Sequence, residues 1–191
     1  MLQLIIGLVL FLGVHSVSIV AHPWRDAMVA RLGEWPWKGL YGIVSLVGLV
    51  LIVRGYAEAR FDPVVLYSPP AWTHHLSMLL MLAVFPALLA AYFPGRIQRM
   101  LKHPMLVAVK AWALAHLLVN GTLAALLLFG GFLAWAVADR ISLKRRAQAS
   151  PLQAPVTPAN DIIVVVGGLA LYAAFLFWLH ASLFGVALIS P

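Results

Sequence analysis

Long apolar runs in which Lys, Arg, Asp and Glu are nearly absent constrain this chain more than any other feature of its sequence. A hydrocarbon core of about 30 Å requires roughly 20 mainly apolar residues in a helix. Divided at its charged, Pro-rich and Gly-rich interruptions, the sequence yields six such segments: 2–21, 37–53, 73–92, 105–120, 122–138 and 161–188. The fold expected is therefore an all-α, polytopic membrane helix bundle of six transmembrane helices, with the lipid bilayer as its principal partner. Composition agrees. Only 10% of the 191 residues are charged, against about 25% in soluble domains, which is too little polar surface to cover a water-soluble globule.

The net charge of +7 does not point to nucleic acid, because the basic residues lie in short segments between apolar runs, as at a membrane surface. Counted by alternate loops, one side holds Arg25, Arg31, Lys38, Arg96, Arg99, Lys102, Lys110, Arg140, Lys144, Arg145 and Arg146; the other holds only Arg54 and Arg60. Basic residues near span ends are retained in the cytoplasm, so both termini are expected on the non-cytoplasmic side. The first run begins at Leu2 with no basic residue before it and no small-x-small site after it, the pattern of a retained helix rather than a signal peptide.

The sequence organises as a five-helix block over 1–146, a flexible linker over 147–160 (AQASPLQAPVTPAN) and a last helix within 161–191. Segments 105–120 and 122–138 are joined only by Asn120 and Gly121, a tight hairpin in which glycine is expected to supply a positive φ. Gly7, Gly13, Gly42, Gly48, Gly130 and Gly131 are small sites at which helices can approach closely.

All six acidic residues lie in loops or at span edges, which disfavours proton relays and ion pathways built on buried carboxylates. The absence of cysteine excludes disulfides, thiolate metal sites and iron–sulfur clusters. Seven histidines remain. His15 and His116 lie inside spans, where an imidazole needs a partner and is a functional-site candidate by default. The alternative is a hydrogen bond to a hydroxyl such as that of Ser16 or Ser45, or to a backbone carbonyl. His22, His74, His75 and His180 fall near interfaces, where water satisfies them. His103 precedes Pro104, which is well placed in the first turn of a helix. Because His103 and His116 are separated by about 20 Å of helix, they cannot share one metal. A bis-imidazole haem needs ligands from two facing helices, and His15 with His116 is the buried combination, although the two lie toward opposite ends of their spans. Trp24, Trp35, Trp37 and Trp72 fit an interfacial belt, while Trp112 and Trp135 are packing residues or the lining of a cofactor pocket.

The strings GLVLFLGVHS, WKGLYGIVSLVGL, LKHPMLVAVKAWALAHLLVNG and LLLFGGFLAWAVADRISLKRR resemble the NnrU family of bacterial membrane proteins, which implies residence in the bacterial inner (cytoplasmic) membrane and a link to nitrite and nitric oxide metabolism in denitrification. That family is similar to plant 15-cis-ζ-carotene isomerase, an integral membrane enzyme that uses haem b. Carried over, the VHS string implies a ligand to the haem iron at His15 and the WALAH string implies one at His116. For the other N–H of His116 a carbonyl one turn back is the first candidate acceptor, with Asn120, one turn ahead, as the side-chain option. Where the isomerase has a cysteine, this chain has Ala113, so a cysteine-dependent ligand switch is unavailable. The resemblance thus implies a haem protein with redox or isomerase-like chemistry on a lipophilic or small nitrogen-oxide substrate. The HP motif at His103 also resembles the Arg-His-Pro segment of membrane methyltransferases that bind S-adenosylmethionine, but lacks the aromatic and glycine that follow it there. A non-catalytic accessory protein for respiratory nitrogen-oxide enzymes is the third reading.

Overall fold

The computed structural model describes residues 1–145 and 155–189; residues 147–154 of the expected linker lie outside them. In chain order the helices are α1 (Leu2–Val20), α2 (His22–Leu32), α3 (Glu34–Ala59), α4 (Thr73–Ala90), α5 (Arg96–Leu101), α6 (Pro104–Leu117), α7 (Leu123–Ser142) and α8 (Asn160–Ala174). A π-helical turn, Phe175–Leu179, and a short α9 (His180–Phe184) continue α8. No strand forms among the described residues beyond one isolated bridge between Val65 and Thr122.

Five helical segments are long and apolar enough to cross a bilayer: α1, α3, α4, α7 and the stretch Asn160–Phe184. Only 11% to 28% of the residues in their most apolar windows are buried inside the protein, so most of that apolar surface is left outward-facing, as a span in a lipid bilayer requires. The sixth expected segment forms the shorter helix α6, of 14 residues. At 1.5 Å per residue it spans about 21 Å, less than the hydrocarbon core. It begins at Pro104, whose ring cannot extend a helix backwards. At its far end the His116 carbonyl accepts the main-chain N–H groups of Val119 and Asn120 at 3.2 and 3.0 Å, which closes the last turn.

Two further helices escape the hydropathy reading. Polar α2 begins with Pro23 in its first turn and is joined to α3 through Gly33 at φ 87°. The six-residue α5 follows the end of α4.

The chain divides into two compact units, Met1–Ala71 with His116–Arg146, and Trp72–Ala115 with Ala147–Pro191. In the first, α1 packs along α3 and against α7. The α1–α3 seam brings main chain against main chain. A Cβ at Gly7 would lie 2.6 Å from the nitrogen of Ile52, one at Gly48 would lie 2.9 Å from that of Phe11, and one at Gly55 would lie 2.2 Å from that of Leu4. Gly7 and Gly48 thus act as expected, whereas Gly13 and Gly42 have nothing within 4 Å among the described residues.

An extended segment also folds back across the turn between α6 and α7. The N–H groups of Leu66 and Tyr67 both donate to the Gly121 carbonyl (2.8 and 3.2 Å), and the Leu123 N–H donates to Val64 O (2.8 Å). Tyr67 Oη donates to the carbonyls of Leu117 and Asn120. Gly121 is therefore required for space. Its φ is not positive, contrary to the hairpin expectation, but a Cβ there would stand 1.8 Å from the Tyr67 carbonyl oxygen.

In the second unit, α8 packs on α4. Gly168 lies over Pro86, an interior proline of α4, and Phe85 meets Phe175 with ring centroids 4.9 Å apart. Val84, Ala87 and Ala108 form a buried cluster, with Met81, Leu88 and Trp112 packed around it. Where α8 begins, Asn160 Nδ2 donates to the carbonyls of Pro94 and Pro155 (2.9 and 3.0 Å). The Asp161 carboxylate accepts the N–H groups of Arg96 and Ile97 (3.0 and 3.1 Å). These bonds bring the first turn of α8 against α5.

Candidate functional site

His15 sits three turns into α1 and is half-buried. Its Nδ1 lies 2.6 Å from the Phe11 carbonyl oxygen one turn back. A carbonyl can only accept, so Nδ1 carries the proton and Nε2 of the neutral ring carries the lone pair. The hydroxyl partners expected as the alternative are engaged elsewhere: Ser16 donates to Leu12 O and Ser45 to Tyr41 O. The backbone carbonyl is the partner instead, and it lies in the same helix.

Three aromatic rings surround the imidazole. Phe11 stacks on it with centroids 4.2 Å apart, Tyr41 of α3 lies at 5.1 Å, and Trp135 of α7 meets it edge-on at 6.0 Å. Stacking covers a face of the ring rather than the in-plane lone pair of Nε2. The Trp135 indole Nε1 is buried and has no hydrogen-bond partner among the described residues. A buried donor without an acceptor costs about 1–3 kcal/mol, so this N–H calls for an accepting group beside His15.

His116, near the end of α6, belongs to the same unit. It stacks on Phe129 of α7 with centroids 4.5 Å apart, and Tyr56 of α3 approaches that phenylalanine at 6.1 Å. Phe129 and Trp135 are six residues apart, about 9 Å along α7, so the two histidines meet that helix at different levels. This matches the offset expected from their positions in the sequence. Asn120 Nδ2 donates to the main-chain carbonyl of His116 at 2.9 Å, which caps the helix end.

The other histidines are dispersed. His103 belongs to the second unit and directly precedes α6. His22 faces Asp26 at 2.9 Å on exposed α2, His74 and His75 neighbour one another at 6.4 Å, and His180 Nδ1 donates to Val186 O at 2.8 Å. Among the described residues no three His, Cys, Asp or Glu side chains gather as a metal site.

Sequence reasoning missed Phe11, Tyr41, Tyr56 and Phe129 around the two histidines, and Phe132, whose ring lies 5.6 Å from that of Phe11. Spacing carried the signal: Phe11 is one turn from His15, and Phe129, Phe132 and Trp135 recur every third residue of α7, which places neighbouring aromatics along a helix surface.

No curated protein and no solved structure matches the chain. The family model described as NnrU protein matches residues 3–188, which takes in every helix described above. The chain belongs to the NnrU family.

Proposed function

We propose that this protein binds haem b within the bacterial cytoplasmic membrane, with His15 and His116 as the residues that would hold its iron, and that it serves redox or isomerase-like chemistry linked to nitrogen-oxide metabolism. The observation that carries the reading is the state of His15, whose Nδ1–H is fixed on a backbone carbonyl at 2.6 Å while Nε2 keeps its lone pair in an aromatic surround. Histidines that ligate metals are held in this way, with the second ring N–H anchored on a carbonyl or carboxylate.

The wide dispersal of the histidines also favours haem over a bare ion. A bare zinc ion requires three or four protein ligands in one place, whereas a porphyrin supplies four nitrogens and asks the protein for two. When bound, haem supplies a redox-active iron. Held by His15 and His116, it would serve electron transfer or sensing.

The test is an absorption spectrum of the purified protein, oxidised and reduced, after expression with ample haem. A Soret band with the sharp visible bands of low-spin reduced haem is expected. A colourless protein would remove the proposal.

The membrane arrangement belongs to the same reading, with α6 as a short sixth crossing and both termini outside the cytoplasm. Reporter fusions after Arg146 are expected in the cytoplasm and fusions at Pro191 outside, because the stretch Asn160–Phe184 crosses once between them. Both reporters on one side would refute that crossing.

A further inference from the structure

A groove of about 780 Å³ lies in the second unit, bordered by the Pro94–Arg99 stretch on one side and by Val156–Pro158 and Asp161 on the other. Its depth in the membrane follows from what flanks it. Helix α4 ends at Ala90, and the stretch Asn160–Phe184 starts at Asn160. Two apolar spans therefore terminate beside the groove, which puts it at headgroup level. Tyr92, exposed just past α4, is the residue type that anchors at this boundary.

The charges in the groove are arranged unequally. The single carboxylate, Asp161, is occupied by the main-chain N–H groups of Arg96 and Ile97. Among the described residues neither Arg96 nor Arg99 makes an ion pair, and both are exposed. They stand three residues apart on α5, a spacing that brings side chains to within about 5–6 Å at Cβ. Two arginine side chains rooted at that Cβ spacing can converge on the oxygens of one phosphate, which arginine binds in bidentate fashion. The clamp is held in place, because α5 is tied to the start of α8 through Asp161, and Pro94 through Asn160.

We propose that this groove binds the phosphodiester of an anionic membrane lipid between Arg96 and Arg99. The phosphate is drawn to a net positive pair of guanidiniums, and the acyl chains continue along the lipid-facing surfaces of α4 and α8. A juxtamembrane basic cluster of this kind attracts anionic headgroups, and here the cluster has a groove of defined shape rather than a flexible tail.

The experiment is native mass spectrometry of the full chain in detergent, titrated with phosphatidylglycerol or phosphatidylcholine. The intact protein is expected to retain phosphatidylglycerol at least about fivefold better than phosphatidylcholine. The double variant Arg96→Gln/Arg99→Gln should lose that preference, with its helical circular dichroism unchanged. A charge-matched control, Arg25→Gln/Arg31→Gln on α2, should keep it. Equal loss in both variants, or no preference in the intact protein, would overturn the site. Displacement of phosphatidylglycerol by inorganic phosphate at millimolar concentration would overturn the lipid assignment in favour of free phosphate.

Discussion

Gly55→Ala is expected to destabilise the first unit by about 3 kcal/mol, the upper end of the usual cost of overpacking. The added methyl would lie 2.2 Å from the Leu4 nitrogen and 2.7 Å from its Cα. These are main-chain atoms of a neighbouring helix, so no rotamer change relieves the contact, and α1 must move away from α3. In a bilayer this matters more than in water. Lipid chains are as apolar as leucine, and helices associate through close packing rather than through a hydrophobic drive. Gly42→Ala on the same helix meets nothing within 4 Å among the described residues and should change stability by no more than about 0.5 kcal/mol. Unfolding in mixed detergent micelles measures both variants. Equal effects would mean that the seam does not hold the helices together.

On the proposed haem-binding reading, His15→Ala and His116→Ala carry the largest expected spectral change. Each removes a strong-field imidazole, and each should convert a low-spin haem spectrum to high-spin or abolish haem retention. His22→Ala and His180→Ala should leave the spectrum unchanged, since His22 faces Asp26 and His180 bonds to Val186 O. If the imidazoles served packing alone, the His15 and His116 variants would differ only in stability, and His15→Ala would lose a bond to Phe11 O within its own helix. Retention of the parent low-spin spectrum by both single variants would reject these ligands.

Hydropathy located the long helices because lipid solvation acts on every residue of a span independently. Expected segment 2–21 becomes Leu2–Val20, and 73–92 becomes Thr73–Ala90. Helix α3 starts three residues before and ends six after the expected 37–53, since a helix can continue into the interfacial layer with Lys38, Arg54 and Glu58 on it. The polar α2 and the short α5 gave no apolar signal.

Contacts between helices were less legible, because they depend on how each cylinder is rotated. Glycine content marked Gly7 and Gly48 as close approaches, but equally marked Gly13 and Gly42, which meet nothing. It passed over Gly55, which lies beyond the expected span. The same limit applies at the candidate site. His15 stood out as an imidazole among apolar residues, yet nothing along the chain paired it with Tyr41 and Trp135 on two other helices.

The strap at Val64–Tyr67 has a consequence for biosynthesis. Its partner, the Gly121 turn, emerges 54 residues after Tyr67, about 3–10 s later at 5–20 residues per second. Until then Leu66 and Tyr67 have no acceptor for their N–H groups and must remain hydrated at the membrane surface. His116 and α7, which complete the surroundings of the two central histidines, arrive in the same late interval. Closure of the first unit is thus timed by the ribosome: α1 and α3 can pair early, but any cofactor held between His15 and His116 must be loaded after α7 has entered the bilayer.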